Sequence, residues 1–128
     1  MKVVIVGCGK VGKTIAEELV KENHDIILID ENAELVEDVS NSLDIIGVIG
    51  NGASLNILKE AGIETADVLI AVTSADEINM LCCLFAKKAN KDLKTIARVR
   101  NPIYSSELSY IKDELGLTMT INPEMITA

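Results

Sequence analysis

The sequence predicts an α/β domain built on a doubly wound parallel sheet of six strands. Short apolar runs alternate, from end to end, with segments in which apolar residues recur at helical spacing. Glycines in the spacing G-x-G-x-x-G follow the first apolar run directly, and a helical segment begins inside them. Together these observations are typical of a Rossmann-type sheet with strand order 3-2-1-4-5-6. A length of 128 residues is that of one domain, residues 1–128.

The glycine loop joins the first strand, residues 3–6, to the first helix. Gly7 permits a tight turn out of the strand, and Gly9 lets the backbone approach a pyrophosphate without a Cβ in the way. Gly12 lets the helix pack closely on the strand. The N–H groups and partial positive charge of the helix N-terminus would then face the phosphates of a nucleotide.

Asp30 is the second candidate. It ends the predicted second strand, residues 25–29, and lies 18 residues beyond Gly12. A carboxylate about 20 residues after the glycines binds a ribose hydroxyl pair in many dinucleotide-binding domains. The alternative is a helix-capping or turn aspartate. The strand, helix and glycine spacing around Asp30 favour the nucleotide.

The remaining elements follow in order along the chain. We expect further strands at residues 45–49, 67–72, 95–99 and 117–121. We expect helices after the caps Asn32 and Ser54, at residues 75–89 behind a Ser74–Glu77 capping box, and from Asn101-Pro102 to Gly116.

Further candidates lie where these strands end. The glycines of residues 50–54 leave room for a flat group such as adenine, or the stretch is a simple strand-to-helix loop capped by Ser54, and both interpretations stay open. Thr73 and Ser74 would face a ligand beside the glycine loop. Lys10 and Arg98 would offset the negative net charge locally, and the alternative is that both are solvated surface residues.

Composition limits the possible functions. The net charge of −8 argues against direct binding of nucleic acid or anionic lipid. No apolar run reaches the roughly 18 residues of a membrane span and no signal peptide is recognisable, so we expect a soluble, intracellular protein without direct membrane insertion. Cys8, Cys82 and Cys83 lack disulfide or metal-site spacing, and Cys82 and Cys83 are expected to be small core residues. For Cys8, a reactive thiol near a helix N-terminus is the alternative to the favoured interpretation, an unreactive residue of the glycine loop.

The sequence offers no catalytic machinery. His24 precedes the second strand and therefore lies at the amino edge of the sheet, away from the ligand edge. No acid–base pair or activated nucleophile is placed at the carboxyl edge, which predicts nucleotide binding without a complete enzyme. The fifth helix carries more apolar residues than one sheet face needs, and its excess face is either a homodimer contact or core packing: Ile103, Tyr104, Leu108, Tyr110 and Ile111.

These motifs resemble the N-terminal nucleotide-binding domain of TrkA, the cytosolic regulatory subunit of Trk potassium uptake systems, also called a KTN or RCK domain. The resemblance covers almost the full length. It rests on GCGKVG at residues 7–12, Asp30, GNGAS at 50–54, AD at 66–67 with AVT at 71–73, DEIN at 76–79, ARVRNP at 97–102 and INPE at 121–124.

The resemblance implies a regulatory domain that binds NAD or NADH, or ATP or ADP at the same site. It implies control of a potassium-transporting membrane subunit, assembly into a homodimer or larger ring, and a cytoplasmic location at the inner face of the cell membrane through that partner. It also implies a second, C-terminal ligand-binding domain beyond this one, so we expect either a piece of a longer chain or a single-domain member.

The resemblance assigns roles to individual residues by motif match. The pyrophosphate would be held by Gly7, Cys8, Gly9, Lys10, Val11 and Gly12. Asp30 would bind the adenosine ribose, and Asn51 would lie near adenine, although many members carry Asp at this position. Thr73 and Ser74 would lie beside the rest of the ligand, and Arg98 toward a phosphate or the second ribose.

Two other classes share part of this pattern. The cofactor-binding fragment of an NAD-dependent dehydrogenase is the main alternative, and a downstream catalytic domain would identify it. A methyltransferase also places an acidic residue after its second strand, but it would need neither Gly12 nor the motif of residues 98–102.

Overall fold

The computed structural model describes residues 1–121, which form one parallel sheet in the order β3-β2-β1-β4-β5-β6. Its strands are β1 (Lys2–Val6), β2 (Asp25–Asp30), β3 (Ile46–Ile49), β4 (Val68–Ala71), β5 (Lys94–Arg98) and β6 (Met119–Ile121). Its helices are α1 (Lys10–Lys21), α2 (Ala33–Leu43), α3 (Leu55–Glu60), α4 (Asp76–Ala89) and α5 (Pro102–Leu115), with a 3-10 turn at Ile63–Thr65. The predicted fold class and strand order are confirmed.

Apolar residues fill both faces of the sheet. One cluster packs α1 and α2 against one face, with Ile5, Ala16 and Leu28 at its centre. The other packs α3, α4 and α5 against the opposite face, around Leu58 and Leu69. The strands of the first half run outward from β1 and those of the second half run outward from β4. The strand order therefore reverses between β1 and β4, which are the two central strands. This is the topological switch point at which doubly wound sheets bind ligands.

The predicted core positions of Cys82 and Cys83 are confirmed. All three thiols are free and buried, with Cys82 and Cys83 under α4. Burial raises the pKa of each of these two thiols to about 12. They act as small core residues.

Side chains cap three helices as predicted. Leu35 N–H donates to the Asn32 side chain at 3.1 Å, and Ile103 N–H donates to the Asn101 side chain at 3.0 Å. The hydroxyl of Ser54 accepts from the N–H of Ile57 at 3.4 Å.

The predicted capping box at Ser74 and Glu77 is wrong. Helix α4 begins at Asp76 with Ala75 as N-cap, and within residues 1–121 no side chain bonds at that cap. With Ala75 as N-cap, Glu77 is the second helical residue and not the third, so the spacing of a capping box is not met. The Glu77 carboxylate instead accepts from the hydroxyl of Tyr104 at 2.6 Å. This bond lowers the pKa of Glu77 and raises that of Tyr104.

Helix α5 packs through only part of its apolar surface. Leu108 is buried in the core, whereas Ile103 is 64% exposed and Tyr110 is 81% exposed. Ile111 is exposed as well. Core packing therefore explains Leu108 and leaves the apolar character of the other three unexplained.

Two predictions concern the chain as a whole. None of the helices in the described residues 1–121 is long and apolar enough to cross a membrane. The last motif of the resemblance, residues 121–124, lies outside the described residues from position 122 onward.

Candidate functional site

A cavity of about 720 Å³ opens at the carboxyl edge of the sheet, between the ends of β1 and β4. Its volume is within the range of small-molecule sites. All but two of the predicted site residues line it, namely Gly7, Cys8, Gly9, Lys10, Val11, Asp30, Thr73, Ser74 and Arg98. Gly12 and Asn51 lie outside the lining.

The glycine loop forms one wall, and its glycines have distinct roles. Gly7 has φ +116°, and a Cβ there would meet the backbone of Val72 and Thr73 at 2.9 Å. A Cβ on Gly12 would overlap the carbonyl oxygen of Gly7, so Gly12 permits the close helix–strand packing predicted for it. A Cβ on Gly9 would meet nothing within 4 Å, so the backbone there is open to a ligand.

The N-terminus of α1 stands at this wall without a side-chain cap. Gly9 is its N-cap, and no side chain among residues 1–121 bonds there, unlike at α2, α3 and α5. The first N–H groups of a helix have no acceptor within the helix. These donors and the partial positive charge of the helix end suit an anion such as a phosphate.

Asp30 is the last residue of β2, and its carboxylate lies beside the glycine loop. One carboxylate oxygen accepts from Cys8 N–H at 2.8 Å, and the other accepts from Asn32 N–H at 2.9 Å. Asp30 is therefore a turn residue, the alternative stated above, and it also lines the cavity. Because each carboxylate oxygen has a second lone pair, Asp30 can still accept from two ligand hydroxyls.

The wall made by β4 and β5 depends on a buried side chain that sequence reasoning missed. Asn79, fully buried in α4, donates to the carbonyl oxygens of Thr73 at 3.1 Å and Arg98 at 2.8 Å. Its own oxygen accepts from the N–H of Thr73 at 2.8 Å and from its hydroxyl at 2.7 Å. The sequence signal was an amide at helical spacing from the apolar Cys83 and Ala86.

Asp76 links the same end of α4 to the turn between β5 and α5. It is buried, and it accepts from the N–H groups of Arg100 at 3.0 Å and Asn101 at 2.7 Å. The guanidinium of Arg100 donates to the carbonyl oxygen of Ser74 at 2.7 Å. Sequence reasoning missed this role too, since it placed the first turn of α4 in a capping box.

The loop of residues 50–54 is a strand-to-helix connection, as one of the two interpretations predicted. The Asn51 side chain accepts from Ala53 N–H at 2.8 Å in a local turn. A Cβ on Gly50 would overlap the side chain of Ile57, and one on Gly52 would overlap Val6. Packing therefore accounts for both glycines, which also line the cavity. The contact of Asn51 with adenine stays a prediction.

The titratable groups of the cavity do not form a nucleophile. Burial, with a smaller effect from Asp30, raises the pKa of the Cys8 thiol to about 11, so it stays protonated at neutral pH. His24 lies at the amino edge as predicted, where its Nδ1 is 3.2 Å from the amino terminus. Positive charge reaches the cavity from Lys10 and Arg98.

A family model described as the TrkA-N domain matches residues 3–123. The chain belongs to the TrkA-N domain family. It is 39% identical over 127 residues to a protein of Halomonas elongata named Trk system potassium uptake protein TrkA, covering 98% of this chain and 28% of that protein. It is 40% identical over 128 residues to a TrkA homolog of Archaeoglobus fulgidus, covering 100% of this chain and 29% of that protein. The chain thus spans less than a third of these relatives.

Solved structures share the TrkA-N fold. The TrkA-N domain of the inner membrane protein ybaL from Escherichia coli superposes with TM-score 0.85 at 25% identity, covering 98% of this chain and 90% of that one. A Kef C-terminal domain from Shewanella denitrificans in an AMP-bound form gives TM-score 0.80 at 20% identity, covering 95% and 71%. The GsuK channel bound to NAD gives 0.78 at 18% identity, covering 94% and 21%.

Proposed function

We propose that this domain binds NAD or NADH at the carboxyl-edge cavity and thereby controls a potassium-transporting membrane subunit. The observation that carries the proposal is the pairing, in one cavity, of the uncapped α1 N-terminus with the Asp30 carboxylate. The first suits a pyrophosphate and the second a ribose. ATP and ADP share the adenosine end and are alternative ligands of the same site.

Each wall has a role in this proposal. The glycine loop, from Gly7 to Gly12, holds the pyrophosphate, and Asp30 accepts from the adenosine ribose. Asn51 lies at the adenine side. Thr73 and Ser74 contact the rest of the ligand, and Arg98 pairs with a phosphate or the second ribose. The relatives named as Trk potassium uptake proteins and the NAD-bound GsuK channel support the potassium-transport and nucleotide parts of the proposal, and the residue roles are those that motif match implies.

The domain acts as a regulator, in our proposal, and not as an enzyme. The cavity lining within residues 1–121 includes no histidine, and its one thiol is protonated. A nucleotide can signal only if it binds two conformations with different affinity. The membrane partner is a Trk-type potassium-transporting subunit, and the domain works at the cytoplasmic side of the membrane through that partner.

Calorimetry with wild type and two β2 variants tests the site. Asp30 and Glu31 both line the cavity, so a 2′-phosphate would face two carboxylates, and NADH should bind tighter than NADPH. Asp30→Asn should weaken NADH binding and reduce this preference. Asp25→Asn, at the exposed amino end of the same strand, is the matched control and should bind normally. Equal affinities of wild type for NADH and NADPH would contradict the role of Asp30.

A spectroscopic assay separates the regulator from the dehydrogenase fragment. NADH incubated with the domain and small oxo-acids should keep its reduced-nicotinamide absorbance. Potassium uptake by vesicles that contain a Trk-type membrane subunit and the full-length regulator should respond to NADH. Steady oxidation of NADH without any effect on uptake would favour the dehydrogenase interpretation.

We also propose that the exposed face of α5 is the contact with a second copy of this chain. Its support is the exposure of Ile103, Tyr110 and Ile111. Tyr110→Glu should convert a dimer to a monomer in sedimentation. Ile46→Glu, which changes an exposed apolar residue on the edge strand β3 in the same way, should leave the dimer intact. A Tyr110→Glu protein that stays dimeric would exclude this face.

A further inference from the structure

We infer that Asn79 is a positioning residue for the nucleotide site: it has no contact with the cavity, yet it holds the wall that carries Thr73 and Arg98. The inference rests on the proposed binding of a nucleotide. It extends that proposal to a side chain in α4 that is fully buried and lies outside the cavity lining.

The side-chain amide of Asn79 is fully hydrogen-bonded. It makes four hydrogen bonds, two as donor and two as acceptor. All four are to Thr73 or to the carbonyl of Arg98. A side-chain amide has two N–H donors and one oxygen with two lone pairs. Every donor and acceptor site of this amide is therefore used, which fixes its orientation and the positions of both partners.

These hydrogen bonds lie just beyond the carboxyl end of the β4–β5 ladder. The last paired residues of the β4–β5 ladder are Ala71 and Ala97. Thr73 and Arg98 come after that pair, where ladder hydrogen bonds no longer join β4 and β5. Asn79 bridges them from α4 at this point. Both partners line the cavity, so the bridge sets the separation of two residues that would contact the ligand.

Helix α4 carries a second side-chain amide that bridges to the backbone of another segment. Asn90, at the opposite end of the helix, donates to the carbonyl oxygens of Ile63 at 3.0 Å and Ala66 at 2.9 Å. It joins the same helix to the amino side of β4. The two asparagines thus have similar chemistry at opposite edges of the sheet, and of the two only Asn79 bonds to residues that line the cavity.

The pair separates positioning from general stability. Asn79→Ala and Asn90→Ala each remove two hydrogen bonds from a side-chain amide to backbone carbonyls, so both should lower the unfolding temperature. If Asn79 positions the wall, Asn79→Ala should also weaken NADH binding to the folded protein about tenfold, as expected when a hydrogen bond to the ligand is misplaced. Asn90→Ala should bind NADH as wild type does.

Normal NADH affinity in Asn79→Ala, or an equal loss in both variants, would overturn the inference while leaving the proposed function intact. A wild-type protein that binds no nucleotide would overturn both.

A measurement on the wild type keeps the inference testable if Asn79→Ala does not fold. The side-chain amide resonances of Asn79 and Asn90 can be followed by nitrogen–proton NMR during NADH titration. Asn79 should shift with the same saturation curve as binding, because its partners contact the ligand, and Asn90 should stay unchanged. An unshifted Asn79 amide at saturating NADH would overturn the inference.

Discussion

The turn from β1 into α1 and the turn from β4 into α4 lie side by side at the carboxyl edge, but they are built differently. The first is made of glycine backbone, and no side chain of the described residues 1–121 caps the helix that follows it. The second is tied by the side chains of Thr73 and Asn79, and Asp76 extends the ties to the next turn. Both turns line the same cavity.

The difference separates two tasks. A glycine turn keeps backbone N–H groups available to an anion and brings them close to it. A turn whose polar groups bond to one another is fixed in position and is joined to its neighbours. In this domain the α1 side is therefore suited to holding the ligand. The α4 side is suited to transmitting ligand occupancy toward α5. Asp76 accepts from the N–H of Asn101, and the Asn101 side chain caps α5.

The largest expected effect comes from adding one methyl group to the glycine turn. Gly12→Ala would place a Cβ on the backbone carbonyl oxygen of Gly7, which cannot move aside as a flexible side chain can. We therefore expect a loss of about 3 kcal/mol or more in the free energy of unfolding. Gly9→Ala meets open space at an ordinary backbone angle of φ −74° and should leave stability nearly unchanged. Urea unfolding of both variants measures this.

The same pair tests the task of the turn. The Cβ of Gly9→Ala would enter the space that the ligand needs, so this stable variant should bind NADH more weakly than wild type. Wild-type affinity in Gly9→Ala would break the comparison, because the open backbone would then have no function in binding.

A smaller effect is expected from the two cations that line the cavity, Arg98 and Lys10. Arg98→Ala should weaken NADH binding by about 1–3 kcal/mol if its guanidinium makes a charge-assisted hydrogen bond to the ligand. Lys10, exposed at the mouth of the glycine loop, should contribute about 1 kcal/mol or less. Calorimetry of Arg98→Ala and Lys10→Ala at moderate salt compares them. Normal binding by Arg98→Ala would make it a structural residue of β5.

The sequence was sufficient for the parts of the fold that depend on local pattern. Alternating apolar runs gave the strands and their order, and Asn32, Asn101 and Gly116 marked helix ends where the structure has them. The glycine spacing predicted the turn from β1 into α1 correctly, because Gly12 packs against Gly7 within the same strand–turn–helix unit. These are short-range constraints, and they are visible in one sequence.

The rest could not be predicted because it depends on partners that are far apart in the chain. Asn79 bonds to the carbonyl of Arg98, and Glu77 to the hydroxyl of Tyr104, across different elements. The capping box at Ser74 was wrong because α4 begins at Asp76, with Ala75 as its N-cap. The side chain of Asn51 accepts from the N–H of Ala53 in its own turn, and its contact with adenine, which the family motif implies, stays a prediction.

The smallest expected effect concerns alkaline pH, where the thiols of the two sides differ. The ordinary cysteine pKa of 9.0 rises to about 11 for Cys8 beside the glycine turn and to about 12 for Cys82 in α4. Because the folded state holds these protons more tightly than the unfolded chain, unfolding releases protons above pH 9. This contribution to stability is complete below pH 9 and is lost as pH rises, by about pH 11 for Cys8 and about pH 12 for Cys82.

Urea unfolding of wild type, Cys8→Ala and Cys82→Ala between pH 8 and pH 10.5 isolates these contributions from those of lysine and tyrosine. Each variant should lose stability less steeply than wild type above pH 9, because it releases up to about one proton fewer on unfolding. Removal of the Cys82 thiol should flatten the curve at least as much as removal of the Cys8 thiol, since burial is deeper under α4. A curve for Cys8→Ala that matches wild type would mean that the Cys8 thiol is open to solvent in the folded protein, and the contrast between a rigid α4 side and an open α1 side would then extend to the backbone of the glycine loop.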